Sequence, residues 1–413
     1  MSEWKETTLA DLCTDISYGY TESAKQEKIG PKFLRITDIA SGRLEWDKVP
    51  YCPINESDFE KYKLLPGDIV IARTGATTGA NYTIKESDPK DVVFASYLIR
   101  CKINPQIANP YYIGQLLRSP NWSDYVDAIA GGSAQPGANA KQLGSFEFLL
   151  PSIDIQTAIA SILSSLDDKI DLLHRQNATL EKMAETLFRQ WFVERCPEPV
   201  EGEEKEEWEI KKLGAIAEIQ NGFAFSSKDY VEYADTHLEV FKMGHIQKGG
   251  GLRTDPKRDY VPRSERLKRW ILNKGDIVMA MTDMKDNVVI LGVPAMIDKD
   301  DNYVLNQRVA RIYLKDKSNL ISNYLLFIQL KDVDFIQELQ SKANSGVQVN
   351  LSTESIKDSD IIIPPLAIQK EKSPIIDDLY TKVELNQTQI RTLTALRDTL
   401  LPKLMSGEVR VEE

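Results

Sequence analysis

Three histidines (His174, His237, His245) and four cysteines (Cys13, Cys52, Cys101, Cys196) are the side chains best suited to metal or acid-base chemistry in this sequence. The cysteines are scattered and form no C-x-x-C pair, so they read as reduced thiols rather than a zinc site or a disulfide framework. His237 and His245 with Asp235 could in principle ligate a metal, but the other half of the chain has no histidine at the matching places, and a structural role fits better. No phosphate-cradling G-x-x-x-x-G-K-S/T, dinucleotide-type G-x-G-x-x-G, H-E-x-x-H or G-x-S-x-G occurs. The glycine-rich stretches 75–79 and 131–137 lack the lysine or the following helix that a phosphate cradle needs, and read as turns. A chain of this size with no nucleophile-base pair and no cofactor loop reads as a binder.

What it binds is a question of charge. The 413 residues carry 51 Lys and Arg against 62 Asp and Glu, a net −11, which argues against coating nucleic acid by bulk charge. Positive charge concentrates between Lys242 and Arg269. Nine bases (Lys242, Lys248, Arg253, Lys257, Arg258, Arg263, Arg266, Lys268, Arg269) stand there against three acids (Asp255, Asp259, Glu265). Two readings stay open: a solvated loop, or a phosphate-contacting surface whose arginines can read guanine edges. The matching stretch of the first half holds Arg35, Arg43 and Lys48 and is weaker; Arg73, in Arg73-Thr74-Gly75, is a further candidate.

The elements that position these residues are written twice. Residues 64–74 return as residues 272–282, with Pro66-Gly67-Asp68-Ile69-Val70 answered by Lys274-Gly275-Asp276-Ile277-Val278. Residues 33–39 are answered by 240–246. From Tyr111 onward the copies keep a constant offset of 213, pairing Tyr111 with Tyr324, Pro151 with Pro364 and Gln156 with Gln369; Trp4 and Trp208 open them. The unit is therefore half the chain, not a short solenoid repeat. Its first part has short β-branched runs between turn signals, such as Asp68–Ile71 and Asp91–Phe94, then a short helix after Pro110.

Its second part changes period. Ile159, Leu163, Leu166, Ile170, Leu173, Asn177, Leu180, Ala184, Leu187 and Trp191 form a heptad seam, answered by Lys372, Ile376, Leu379, Val383, Asn386, Ile390, Leu393, Arg397, Leu400 and Leu404. A helix from about residue 155 to 192 spans roughly 57 Å and needs a partner; the nearest is the other copy. The second helix is expected to stop near Leu401, before Pro402. The predicted organisation is a mixed domain over residues 1–150, a helical region 151–196, an acidic proline-containing linker 197–207, a second mixed domain 208–363 and a second helical region 364–413. The N-terminal residues lack a basic and apolar leader, and no apolar run approaches the roughly 20 residues of a membrane span, so a cytoplasmic location is expected.

These features resemble the specificity subunit of type I restriction-modification systems. The resemblance rests on Leu150-Pro151-Ser152-Ile153-Asp154-Ile155-Gln156 and Ile363-Pro364-Pro365-Leu366-Ala367-Ile368-Gln369 at the starts of the helical regions. It rests also on the ends, residues 187–192 and 400–408, and on the Leu-Pro-Gly-Asp segment before a strand. It implies an α+β fold: two pseudo-repeated target recognition domains separated by two long helices in an antiparallel coiled coil. It implies a non-catalytic DNA-reading subunit with no cofactor of its own. Two modification subunits would bring S-adenosylmethionine and methylate adenine, and restriction subunits would bring ATP and Mg. The alternative is a duplicated recognition or helical adaptor protein of another assembly. One departure stands out: Met281-Thr282-Asp283 replaces Arg73-Thr74-Gly75, so this loop cannot make the same contact in both copies.

Two further expectations concern the helices. Leu187, Phe188, Trp191 and Phe192, with Leu400, Leu401, Leu404 and Met405, either dock modification subunits or pack on a neighbouring domain. A pseudo-twofold axis predicts antiparallel helices with recognition domains at opposite ends, a ruler for half-site spacing. A register whose paired numbers sum to 563 sets Asn177 against Asn386, with Leu166 against Arg397 as its weak point; the other reading puts both asparagines at exposed margins.

Overall fold

The computed structural model describes residues 4–40, 42, 44–131, 137–193, 208–253, 256–284, 288–315, 320–345 and 348–411. Arg43 and the segment 197–207 lie outside the described residues. The chain divides into two compact units, residues 1–174 with 388–413 and residues 175–387.

In the first unit Lys5–Thr8 (β1) pairs antiparallel with Glu147–Leu150 (β8), so strands from both ends close the mixed domain. Between them lie Cys13–Tyr18 (β2), Lys32–Leu34 (β3), Asp68–Ala72 (β4), Asn81–Thr83 (β5), Val92–Phe94 (β6) and Leu98–Ile103 (β7). β2, β7, β4 and β5 form an antiparallel sheet in that order, and β3 runs parallel to β6. β4 explains its own apolar run. Ile69 and Ile71 enter a core with the helices Pro110–Leu116 and Pro120–Ala130, while Val70 and Ala72 enter another with Leu34, Val92 and Phe94. With both faces covered, the polar alternation of a half-exposed strand disappears.

The second unit repeats the plan. Glu209–Lys212 (β9) pairs with Asp360–Ile363 (β21). Ala217–Asn221 (β10), Val309–Leu314 (β18), Ile277–Ala280 (β14) and Pro294–Met296 (β16) form the antiparallel sheet. His237–Phe241 (β11) runs parallel to Tyr303–Leu305 (β17), flanked by Tyr260–Pro262 (β12) and Ile271–Leu272 (β13). Thr282–Met284 (β15), Gln348–Asn350 (β20) and Asn344–Ser345 (β19) add a small sheet. Ile277 and Met279 enter one core, Val278 and Ala280 the other. The turn before β4 and β14 is shared: Gly67 and Gly275 take φ of +87° and +86°. Asp68 and Asp276 then accept the N–H of Leu65 and Asn273 at 2.9 and 2.7 Å. Burial raises the pKa of both aspartates.

The long helices are Ile153–Phe188, continued by a π-helical turn Arg189–Val193, and Leu366–Ser406. Among the described residues no helix is long and apolar enough to cross a membrane. The second helix runs past the expected stop and ends at Gly407, φ +73°. Pro402 forfeits a hydrogen bond, at a cost of about 3 kcal/mol, but Leu401 and Leu404 beside it are buried in the first unit's core and offset it at about 1.5–3 kcal/mol each. Both helices begin with the same buried amide. Gln156 donates from Nε2 to the Pro151 carbonyl at 2.8 Å and accepts the Asn109 N–H at 2.8 Å. Gln369 donates to Pro364 at 2.7 Å and accepts the Ile321 N–H at 3.1 Å. The proline-to-glutamine spacing thus ties each mixed domain to its own helix.

Within each unit the long helices pair antiparallel. In the second, Asn386 Nδ2 donates to Asn177 Oδ1 at 2.8 Å, and Lys372 lies over the Trp191 ring, 5.3 Å from its centroid. In the first, Ile170 and Leu173 cluster with Ile390 and Leu393, while Ile159 and Leu163 share a core with Leu400, Leu401 and Leu404. The expected register holds, and its weak point is resolved by the neighbour of Leu166. Arg397 turns to Asp167 (2.9 Å), which Arg118 and Gln115 also reach at 2.9 and 2.8 Å. Burial opposes the Asp167 charge, yet the two arginines hold its pKa below the usual carboxylate value.

Candidate nucleic-acid interface

The two mixed domains build the same rim at the same strand ends. In the first, Tyr20 N–H donates to Phe94 O (2.8 Å), Ser96 N–H to Tyr20 O (2.9 Å) and Ala95 N–H to Leu34 O (2.9 Å). Arg73 is held from both sides, its N–H on Tyr97 O (3.1 Å) and its carbonyl by Ala138 N–H (2.9 Å). In the second, Phe223 donates to Leu305 (2.8 Å), Gln307 to Phe223 (3.0 Å) and Asn306 to Phe241 (3.1 Å); Met281 donates to Arg308 (3.0 Å) and accepts from Leu351 (2.8 Å). Glycine lies under each crossing, because a Cβ on Gly19 would sit 2.3 Å from Ala95 O and one on Gly222 2.2 Å from Asn306 O.

What stands on this frame differs. Tyr18, Arg73 and Tyr97 in one domain are replaced by Asn221, Met281 and Arg308 in the other. The Arg73 guanidinium lies over the Tyr18 ring, 5.0 Å from the centroid, and its Nε is buried with no partner among the described residues. Tyr97 is 61% exposed and Arg308 is exposed. Asp283, which takes the place of Gly75, is buried. It accepts the N–H groups of Met284, Val289, Ile290 and Leu291 at 2.8, 2.6, 2.7 and 3.3 Å. That carboxylate shapes a loop which Gly75 and Gly79, both at positive φ, shape in the first domain. Tyr97 and Arg308 escape a search for basic clusters; a signal exists in their place beside the matching pair Leu98 and Val309 just before β7 and β18.

Arg35 and Lys242 occupy one place, capping a short helical turn. Arg35 binds Asp38 through Nε (3.1 Å) and Nη2 (2.9 Å). In the second domain His245 replaces Asp38: its Nδ1 accepts the Lys242 N–H at 3.1 Å and its Nε2 meets Glu239 at 3.0 Å. With both nitrogens engaged, His245 is a capping residue. Burial opposes the charge of Lys242, but Asp259 at 2.6 Å raises its pKa. Arg258 meets Glu239 (3.4 Å), Arg263 meets Asp301 (2.7 Å), and Arg266 meets Asp229 (3.3 Å) while lying over the Phe223 ring. Lys268 stands 3.9 Å from Glu265, both exposed. Lys248, Arg253 and Lys257 are exposed. The basic segment is therefore partly neutralised by acids from elsewhere in its own domain, which a count along the sequence cannot register.

Residues 1–182 and 205–395 each match the type I restriction modification DNA specificity domain. The chain belongs to this family. The specificity subunit of type I restriction enzyme MjaIX from Methanocaldococcus jannaschii is 27% identical over 364 residues, covering 84% of this chain and 76% of that one. The HindI specificity subunit from Haemophilus influenzae is 24% identical over 476 residues, covering 99% of this chain and 100% of that one. The type I restriction-modification S subunit from M. genitalium shares the fold, with a TM-score of 0.58 at 17% identity, covering 97% of this chain and 96% of that one.

The helix ends of this specificity protein pack on its specificity domains. Phe188 and Phe192 are buried in the core of the second specificity domain, and Leu401 and Leu404 in that of the first. Leu187, Trp191, Leu400 and Met405 are half-buried. Each helix end abuts the residues that open a specificity domain: Phe192 meets the Trp208 ring edge-on at 6.3 Å, and Gly407 lies against Trp4. Exposed apolar side chains lie instead on the helix flanks, Ile162 and Leu172 in the first unit and, at the repeat offset, Ile375 and Leu385 in the second.

Proposed function

We infer that this chain is the DNA sequence-recognition subunit of a type I restriction-modification assembly, reading a bipartite, asymmetric duplex target without catalysis of its own. The observation that carries this reading is the pair of rims, which share five equivalent main-chain hydrogen bonds yet bear different side chains. Two identical readers would favour a symmetric target; two different readers on one frame suit two different half-sequences. Each half is read in the major groove.

Two modification subunits supply S-adenosylmethionine-dependent methylation of adenine, and restriction subunits supply ATP- and Mg-dependent chemistry. The recurrence of exposed apolar side chains at the repeat offset, Ile162 and Leu172 in one unit and Ile375 and Leu385 in the other, suits one modification subunit per copy. The test is methylation mapping of genomic DNA exposed to the chain co-expressed with its modification subunits. Two short, unlike half-sequences around an unread spacer are expected. A single continuous palindrome, or no sequence-selective methylation, rejects the reading.

A further inference from the structure

A subunit that reads two half-sequences on one frame must vary what stands on the frame while holding its backbone still. Most rim positions fail one of these conditions. Gly19 and Gly222 are fixed by close approach to a carbonyl. Thr74 and Thr282 are the same residue, bridged to Gly137 and Asn350 respectively. Arg35 and Lys242 carry the same charge and are tied to Asp38 and Asp259. Among the positions that satisfy both, which include 18 with its equivalent 221 and 96 with its equivalent 307, two stand out, 73 with its equivalent 281 and 97 with its equivalent 308. They are joined to each other by a main-chain hydrogen bond in both domains and differ completely in chemistry.

We propose that Arg73, braced by Tyr18 beside Tyr97, and Arg308 are the base-reading arginines of the first and second specificity domains, each addressing the major-groove edge of a guanine. The inference rests on the DNA-reading function above. A guanidinium offers two parallel donors that match guanine O6 and N7, a pairing a lysine ammonium cannot reproduce.

Arg73 is prepared for this. Its backbone is held on both sides, its guanidinium lies over Tyr18, and the Tyr18 hydroxyl accepts the Ala140 N–H at 3.1 Å. Little side-chain freedom remains to be lost on binding. In the second domain Asn221 and Met281 remove both the brace and the guanidinium, and an arginine appears one strand end away. Arg308 sits on the turn between β17 and β18, its N–H held by Asn306 Oδ1 at 3.2 Å. The exposed cations Lys248, Arg253, Lys257 and Lys268 take no part in these rim bonds and suit phosphate contacts that position the duplex without specifying it, as does Arg266, tied to Asp229 over the Phe223 ring.

The test uses the chain purified with its modification subunits and a library of duplexes randomised one half-site at a time. A bipartite preference in the unaltered complex establishes the function on which the inference depends; its absence overturns both. Given that preference, Arg308→Ala is expected to lose roughly 10- to 100-fold discrimination at one guanine of one half-sequence, leaving the other half unchanged. Arg73→Gln does the same in the opposite half. Arg308→Lys separates the roles: lost discrimination with retained affinity supports base reading, and retained discrimination assigns Arg308 to a phosphate and overturns it. Even weakening across all duplexes, relaxation of both halves by one variant, or an intact motif also overturns the inference.

Discussion

Replacing Asn386 by alanine tests the helix pairing at its most polar point. Asn386 and Asn177 are 2% and 7% exposed, and the 2.8 Å bond between their amides is their principal satisfaction; Asn177 Nδ2 reaches the Val383 carbonyl only at 3.4 Å. The substitution removes a bond worth about 1 kcal/mol and strands the buried Asn177 Oδ1, which costs about 1–3 kcal/mol. A loss of about 2 kcal/mol is expected. In a unit of roughly 200 residues this corresponds to about 4–8 °C in Tm. Leucine at both positions removes donor and acceptor together, so Asn177→Leu with Asn386→Leu should lie within about 1 kcal/mol of the unaltered protein or above it. It also removes the penalty on slipped registers that a buried amide pair imposes. Guanidinium unfolding followed by far-UV dichroism across Asn177→Leu, Asn386→Leu and the double gives the coupling energy. A coupling below about 0.5 kcal/mol, or a double variant as unstable as the sum of the singles, refutes the reasoning.

Neutralising Lys257, Arg258, Arg266 and Lys268 together should weaken duplex binding evenly across sequences. It should lower the salt slope by about 2 rather than the ~3.6 of four free cations, because Glu239 and Asp229 already engage Arg258 and Arg266; an unchanged slope returns the segment to a solvated loop. Leu172→Glu with Leu385→Glu should abolish co-purification of the modification subunits while leaving helicity intact, and undiminished co-purification refutes the flank as their docking surface. Asp167, its pKa depressed among Arg118 and Arg397, stabilises the fold fully above the unfolded carboxylate pKa and loses that contribution as pH falls through its folded value. The stability gap between the unaltered protein and Asp167→Asn should therefore narrow as pH falls from above the ordinary carboxylate pKa through the depressed folded value, and a gap independent of pH refutes the assignment.

What the sequence reveals and what it hides follow from the range of the forces involved. The long helices, their register and the buried glutamines are legible because each is written in local spacing. A heptad seam fixes which face is buried, and two asparagines at matching places in two seams fix the slip. The rim is not legible in this way, since residues 18, 73, 97 and 137 become neighbours only through the order β2-β7-β4 and the crossing over Gly19. The basic segment misleads for the same reason: Asp229, Glu239 and Asp301 reach it from outside the counted stretch. Pro402 misleads because a local helix-breaking rule ignores the burial of Leu401 and Leu404 in a domain whose strands begin about 400 residues earlier.

The frame and the readers answer to different constraints, and this bears on how such a chain can change its target. An alanine at Gly19 or Gly222 would drive a carbon into a main-chain carbonyl, so the crossing tolerates no side chain. At Tyr97 and Arg308 the side chains point to solvent, where substitutions ordinarily alter stability by less than about 0.5 kcal/mol. Exchange at these two exposed positions therefore leaves the fold and the helix register untouched. The two domains already illustrate the outcome: one holds its guanidinium at the end of β4, the other at the turn before β18, on a crossing whose bonds from Tyr20, Ala95 and Ser96 recur at Phe223, Asn306 and Gln307. Because each rim is built wholly within its own unit, such an exchange in one copy alters one half-sequence without requiring a compensating change in the other.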